Sequence, residues 1–143
     1  FAGQGFAERK DKDLAIACLR IYNDWMIDEW CAGEAKGKII PLTLVPLWDP
    51  ALAAEEVKRC AAKGSYAIAF SENPSKLGFP SLYTGLWDVL WKACQETNTT
   101  VSMHIGSSSS MPRSDRRSPE TDVAPIQTRV PRPTPTRTSP ETV

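Results

Sequence analysis

Three short apolar segments, separated by longer stretches of helical periodicity, constrain the fold of this chain most. The segments are residues 37–47, 66–71 and 100–106. In the stretches before them, apolar side chains recur at the spacing of a helix. Strands that alternate with helices form βαβ units with a parallel sheet and right-handed crossovers. The sequence therefore predicts an α/β fold with three parallel strands and covering helices.

The predicted helices begin and end at recognisable signals. The first follows an irregular segment, residues 1–10, and runs from Asp13 to about Trp30. Asp49-Pro50 opens the second, which Gly64 ends, and the third extends from Thr84 to about Thr97. The apolar stripe of the first helix is predicted to be Leu14, Cys18, Tyr22, Trp25 and Trp30. We expect its two tryptophans to pack against a neighbouring element; a binding surface is the alternative.

The other two helices each have a predicted apolar side. In the second helix it is Leu52, Ala53, Val57, Cys60 and Ala61, and in the third it is Leu86, Val89, Leu90, Ala93 and Cys94. The charged residues of the second helix are expected to face solvent: Glu55, Glu56, Lys58, Arg59 and Lys63.

The predicted strands differ in character. Residues 37–47 form an almost continuous apolar run, typical of a strand that is buried on both faces, with Pro41 and Pro46 expected at its ends or beside a bulge. In residues 66–71 large side chains alternate with small ones, so we expect helices on the large side and open space on the small side.

Composition excludes several classes of function. The formal net charge is zero, which gives no indication of nucleic acid or an anionic membrane as a partner. No apolar run reaches the ~20 residues of a spanning helix, and the first residues lack the apolar core of a signal peptide. Four widely spaced cysteines without a Cys-x-x-Cys pair predict reduced thiols in a cytoplasmic protein. Because the chain starts with Phe1, we expect either processing of a preceding segment or a start inside a longer protein.

The composition changes after Met111. Residues 112–143 contain no glycine, lysine or aromatic residue and are rich in arginine, proline, serine and threonine. We therefore predict a folded domain over residues 1–111 and a disordered tail over residues 112–143. One hypothesis is that a shifted reading frame encodes the tail; a proline-rich partner-binding segment is the alternative.

The single histidine, His104, comes at the end of the third predicted strand and is followed by a glycine and four serines. In α/β folds the carboxyl ends of parallel strands are where ligands and metals bind. His104 is therefore a candidate metal ligand, although an ordinary hydrogen-bonded histidine is the alternative. Candidates for substrate contact follow the same strands: Trp48, Glu72, Asn73 and Ser107. The alternatives are packing for Trp48, loop capping for Glu72 and Asn73, and a plain loop for Ser107.

Several of these motifs together resemble the amidohydrolase-2 family, in particular members like aminocarboxymuconate-semialdehyde decarboxylase. The resemblance covers residues 10–110 and is carried by Ile40-Pro41-Leu42, Leu47-Trp48-Asp49-Pro50, the helix 53–59, Gly64 and Met103-His104-Ile105-Gly106. It implies the central part of a metal-dependent (β/α)8 barrel, which is often a zinc enzyme. The implied role of His104 is to bind that divalent metal.

The resemblance implies a hydrolase or carboxy-lyase that acts on a small carboxylic acid, amide or ester. The resemblance leaves open whether the intact protein forms a homo-oligomer. The family's His-x-His pair, its second histidine and its aspartate have no counterpart in this sequence. We therefore expect the isolated chain to bind metal weakly and to be inactive. The alternatives are a non-catalytic remnant, or a binding module that acts through its tail.

Overall fold

The computed structural model of the protein describes residues 2–107, without the side chains of Ala2 and Gln4. Four α-helices and three strands form this part of the chain. In chain order they are α1 (Ala2–Ala7), α2 (Lys12–Trp25), β1 (Thr43–Leu44), α3 (Pro50–Ala62), β2 (Ala67–Ser71), α4 (Asp88–Glu96) and β3 (Thr100–His104). A π-helical turn, Met26–Trp30, extends α2, and 3-10 turns occur at Gly33–Ala35, Pro74–Leu77 and Gly85–Trp87. The irregular start predicted for residues 1–10 is wrong in part, because α1 lies there.

The three strands form one parallel sheet in the order β1-β2-β3. Thr43 is aligned with Ile68, and the β2–β3 register runs from Ala67 and Thr100 to Ser71 and His104. Each crossover contains a helix, α3 or α4. The predicted α/β class and parallel arrangement are confirmed, and within residues 2–107 the sheet does not close into a barrel.

One face of the sheet packs against α3 and α4 around an aromatic cluster. Phe70 is fully buried and meets Trp87 edge to face, with ring centroids 4.9 Å apart, and Trp91 at 5.2 Å. Ile68 shares this face and is also buried. Such aromatic pairs stabilise beyond the area that they bury. The helices thus cover the large side chains of β2, as predicted, whereas Tyr66, which precedes β2, is about half exposed.

The opposite face is less open than predicted. Ala69 is buried in a second cluster with Leu44 of β1 and Leu19 of α2. Partly buried side chains pack around it: Phe6, Ile16, Tyr22 and Trp48. The small side chains of β2 therefore make room for the first two helices at the β1 side of the sheet.

The predicted apolar stripe of α2 is wrong except for Tyr22, which is partly buried against the second cluster. The residues that α2 buries are Ala15, Leu19 and Asn23. Leu14, Cys18 and Trp25 are exposed, and so is Trp30 in the turn that follows. A polar residue, Asn23, belongs to the buried face, and this is why a search for apolar periodicity selected the other side of the helix. The packing role predicted for the two tryptophans is therefore wrong for this part of the chain.

Strand β1 is much shorter than the predicted run 37–47. It lies between Pro41 and Pro46, which is consistent with the placement expected for the two prolines. Ile39 and Ile40, before Pro41, are exposed.

A polar network joins α2, α3 and the free edge of β1. Glu56 is fully buried and receives hydrogen bonds from Asn23 Nδ2 at 2.8 Å and from Arg59 Nε and Nη2 at 2.9 and 2.7 Å. Arg20 Nε lies 3.3 Å from the same carboxylate. The prediction that Glu56 faces solvent is wrong, because two arginines and an amide compensate the burial of its charge.

The helix boundaries largely agree with the sequence. Asp49 caps α3 by accepting hydrogen bonds from the amides of Ala51 and Leu52, and Pro50 occupies the first turn. The third helix begins later than predicted, at Asp88 after a 3-10 turn. It buries Leu90, Ala93 and Cys94, whereas Val89 of the helix and Leu86 of the preceding turn are exposed.

The predicted tail, residues 112–143, lies outside the described residues. Within the described part of the chain, no helix has the length and apolar character needed to cross a membrane.

Candidate functional site at the carboxyl ends of β2 and β3

The last residues of β2 and β3 lie side by side. Ser71 and His104 are aligned across the two parallel strands, so their side chains emerge on the same face of the sheet. This is the face of Ala69, opposite to the one that Phe70 and Ile68 present to the helices. The imidazole therefore stands at a strand end, on the face of the sheet opposite to the one that α3 and α4 cover.

Two buried serines and a carboxylate surround this point. The chain turns after β3, with the Ser107 amide donating to the carbonyl of His104 at 3.2 Å. This turn brings Ser107 Oγ to 2.8 Å from Ser71 Oγ and into hydrogen-bond contact with Glu72 Oε2. Ser71 Oγ lies 3.5 Å from the same carboxylate oxygen. Glu72 is thereby held in place by hydroxyl groups from the ends of two strands.

The bonding of Ser107 bears on its predicted contact with substrate. Its side chain is buried, and its one hydroxyl proton is directed to Ser71 or Glu72. A hydroxyl group has a single proton to donate. In this arrangement Ser107 therefore supports Glu72, whose side chain is half-buried.

His104 has a defined orientation. Its ring is exposed, and Nδ1 lies 3.1 Å from the carbonyl oxygen of Ile105. A carbonyl oxygen only accepts, so Nδ1 carries the proton in this contact, and in the neutral ring the lone pair is on Nε2. Histidines that bind metals commonly donate their second ring nitrogen to a backbone carbonyl in this way.

The other two candidates have local roles. The Asn73 amide donates to Ser71 Oγ at 3.2 Å, and Asn73 Oδ1 accepts from Ser75 at 2.7 Å, so this residue shapes the loop after β2. Trp48 follows β1 and packs against both apolar clusters. The ammonium group of Lys12 lies 4.9 Å from the centre of its ring.

The described residues do not amount to a metal centre on their own. Among residues 2–107, no three histidine, cysteine, aspartate or glutamate side chains are grouped so that they could hold an ion. His104 is the single histidine of the whole sequence. Tight zinc binding needs several converging donors, so one imidazole beside one carboxylate does not fit a complete site.

The pairing of Ser71 with Ser107 was not predicted from the sequence. Both residues directly end or follow a strand, but their contact depends on the register between β2 and β3. That register aligns Ser71 with His104. A tight turn after β3 then brings Ser107, three residues after His104, back against Ser71. Once the parallel register is known, the pairing follows from the strand ends.

A comparison with models of protein families gives one match. The model described as amidohydrolase matches residues 2–141, almost the full length of the chain. Comparison with curated proteins finds no match.

Proposed function

Since the chain belongs to the amidohydrolase family, whose members are enzymes built on a (β/α)8 barrel, we propose that it supplies part of the active-site rim of a metal-dependent hydrolase or carboxy-lyase. In this proposal the substrate is a small carboxylic acid, amide or ester. His104 supplies one metal-binding nitrogen, Nε2. Glu72 contacts the substrate, and Asn73 contacts the substrate or shapes the loop after β2.

One observation supports this proposal above the others. His104 ends a parallel strand on the face of Ser71, away from the helices that cover Phe70. In barrels of this kind, ligands for a metal and groups that touch substrate come from the carboxyl ends of several strands. An imidazole on the face that α3 and α4 cover would have argued against the role.

The groups of this chain have distinct tasks in the proposal. Glu72, fixed by Ser71 and Ser107, accepts or returns a proton at its carboxylate. The two serines keep that carboxylate in one orientation. Trp48 borders the apolar clusters at the end of β1 and shields the strand ends from water. The metal, usually zinc in this family, supplies a polarised water or substrate oxygen when bound.

A zinc titration tests the role of His104. We expect the chain to bind zinc weakly, with a dissociation constant above about 1 μM, because a single imidazole gives little affinity. His104→Gln should remove this binding. A Cys18→Ser background excludes the exposed thiol as a competing ligand. Calorimetry measures the affinity, and the single imidazole signal in NMR spectra reports directly on the ring.

Two results would contradict the proposal. Stoichiometric submicromolar binding would show a complete site that the described residues do not form. Binding that is unchanged in His104→Gln would place the ion elsewhere.

A non-catalytic role is the second candidate, and the absence of a three-ligand group among residues 2–107 favours it for the chain in isolation. We expect no hydrolysis of activated esters and no decarboxylation of unsaturated acids above a zinc blank. Turnover that His104→Gln abolishes would instead establish this chain as an enzyme, and its products would distinguish hydrolysis from loss of carbon dioxide.

A further inference from the structure

The ammonium group of Lys12 lies over the indole ring of Trp48, which follows β1. The nitrogen is 4.9 Å from the centre of the ring, and it donates a hydrogen bond to the carbonyl oxygen of Ala7 at 2.6 Å. These two contacts hold the charged group at the carboxyl end of β1. An ammonium group has three hydrogens to donate, so Lys12 can also donate to an acceptor that arrives from solvent.

This pair lies on the same face of the sheet as the candidate site. Trp48 is half-buried, and one of the clusters that it packs against contains Leu44 and Ala69. Leu44 and Ala69 are aligned in the β1–β2 register. Ser71, two residues after Ala69 on β2, points to the same face, which is also the face of His104.

The pair also lies at the same edge of the sheet as the candidate site. Extending the β1–β2 register by two residues brings Pro46 level with Ser71, which is aligned with His104. A turn in which the Asp49 amide donates to the Pro46 carbonyl at 3.2 Å keeps Trp48 close to that level. Neighbouring strands are about 4.8 Å apart, so the ends of β1 and β3 are separated by about 10 Å.

Lys12 makes no ion pair with a carboxylate among residues 2–107. Asp11, its neighbour in the chain, instead accepts a hydrogen bond from the Leu14 amide and caps α2. Burial lowers the pKa of Lys12, because partial loss of water disfavours the charged ammonium group. A bound carboxylate would compensate for that lost hydration. Other cations of the described chain already have such partners: Arg20, Lys58, Arg59, Lys63 and Lys92.

We propose that Lys12 and Trp48 form a subsite for a carboxylate of the substrate. The ammonium group donates to the carboxylate, and the accessible part of the indole contacts the carbon atoms next to it. The reacting end of the molecule then extends along the strand ends toward Glu72 and His104. This inference rests on the proposed function and narrows its substrates to acids whose carboxylate is well separated from the group that reacts.

A titration of the full chain with benzoate, without added metal, tests the subsite. Benzoate carries a carboxylate on an apolar ring, and benzamide is its uncharged counterpart of similar shape. We expect benzoate to shift the indole N–H signal of Trp48 in NMR spectra, with a dissociation constant in about the millimolar range. Benzamide should bind at least about fivefold more weakly, because it lacks the charge. Trp48→Phe assigns the signal.

Substitutions at two lysines separate a specific role of Lys12 from a general effect of charge. Lys12→Gln should weaken benzoate binding at least about fivefold, and Lys12→Arg should retain it. The matched control is Lys76→Gln, which should leave binding unchanged. Lys76 is exposed in the turn after β2, at the same edge of the sheet, and it also has no ion pair within residues 2–107.

Urea unfolding of each variant shows whether a loss of binding reflects damage to the fold. If Lys12→Gln is destabilised, the comparison of benzoate with benzamide on the wild type still tests the charge. A Trp48 signal that does not respond to benzoate up to about 50 mM, or that responds equally to benzamide, would overturn the inference. Binding that is unchanged in a folded Lys12→Gln variant, or equally weakened in Lys76→Gln, would also overturn it.

The result is distinguishable from a failure of the proposed function. The benzoate titration contains no metal, so it does not depend on zinc binding by His104. Zinc binding that His104→Gln removes, together with no response to benzoate, would contradict the Lys12 subsite alone. Benzoate binding that depends on Lys12, together with zinc binding that is unchanged in His104→Gln, would contradict the metal-binding role alone.

Discussion

The side-chain amide of Asn23 bonds both backbone groups of Leu44. Asn23 Nδ2 donates to the Leu44 carbonyl oxygen at 2.9 Å, and Asn23 Oδ1 accepts from the Leu44 amide at 2.8 Å. A neighbouring strand would offer β1 the same donor and acceptor. A helix residue therefore satisfies the outer edge of the sheet, and its second donor hydrogen reaches Glu56. The contact couples α2, α3 and β1.

Asn23→Ala should destabilise the protein by roughly 2–4 kcal/mol. The substitution leaves the Leu44 amide and carbonyl without partners in a buried position and takes one donor from Glu56. Urea unfolding followed by tryptophan fluorescence measures the loss. Gln95→Ala on the exposed face of α4 is the control and should change stability by less than about 0.5 kcal/mol. An equal effect of the two substitutions would contradict the edge-capping role.

Glu56 should make stability depend on pH in the acid range. Burial on its own raises the pKa of Glu56, but hydrogen bonds from Arg59 and Asn23 lower it, and the pKa lies below its ordinary value of 4.5. The folded state therefore holds the carboxylate charged at pH values where the unfolded chain protonates. The resulting stabilisation is complete above the ordinary pKa and is lost as the pH falls through the folded-state pKa.

Glu56→Gln should reduce this dependence. At neutral pH we expect a loss of roughly 2 kcal/mol, because Arg59 and Arg20 are partly exposed and keep access to water. The difference from the wild type should shrink in acid. Asp24, whose pKa is lowered by Lys63 and Arg59 against the opposing effect of burial, retains part of the dependence in the variant. Urea unfolding at several pH values checks the sign, and a difference that grows in acid would contradict it.

The sequence was sufficient for the class of fold because the main signals are local. Asp49 with Pro50 marks the start of α3, and Tyr66 to Ser71 alternates as a strand does. The parallel order then follows from the chain's alternation of helices and strands. The (β/α)8 family agrees with this order.

The predictions that were wrong concern buried polar residues whose hydrogen-bond partners are distant in the chain. Asn23 and Glu56 are hydrophilic residues, yet both are fully buried, because Leu44 and Glu56 satisfy the amide of Asn23, and Asn23, Arg20 and Arg59 satisfy the carboxylate of Glu56. Asn23 and Glu56 are separated by 33 residues in the chain, so no local rule could pair them with each other. This is why the buried face of α2 was assigned to the wrong side and Glu56 to solvent.

The candidate site was predictable in position but not in arrangement. Alternation along the strand predicts the face of His104, and Glu72 follows the neighbouring strand end. The serine contacts to Glu72 depend on the β2–β3 register and on the turn that brings Ser107 back. The metal-binding role of His104 stays a prediction, which the zinc titration addresses.

Phe70→Ala should cost roughly 3–5 kcal/mol, as large-to-small substitutions in a packed aromatic core do. Phe70 is fully buried and contacts Trp87 and Trp91, which lie on the helical side of the sheet. Thermal and urea unfolding measure the loss, and Tyr66→Ala is the matched control, because this aromatic residue directly precedes the same strand and is about half exposed. A similar cost for both would mean that the aromatic cluster is not the centre of the core.

One cysteine should react far faster than the other three in the folded protein. Cys18 is exposed, whereas Cys31, Cys60 and Cys94 are buried. Burial and the neighbouring Glu56 carboxylate raise the pKa of Cys60 to about 12, so little thiolate forms near neutral pH. Burial also raises the pKa of Cys94.

At low micromolar protein concentration, a disulfide reagent should therefore titrate one thiol quickly, and Cys18→Ser should remove this fast phase. Denaturant should expose the remaining three thiols at once, because they become accessible together when the domain unfolds. Mass spectrometry of the labelled protein identifies the modified residue. Rapid labelling of Cys60 without denaturant would mean that α3 separates from β1 in the native state, and would contradict the tight coupling through Asn23 and Glu56.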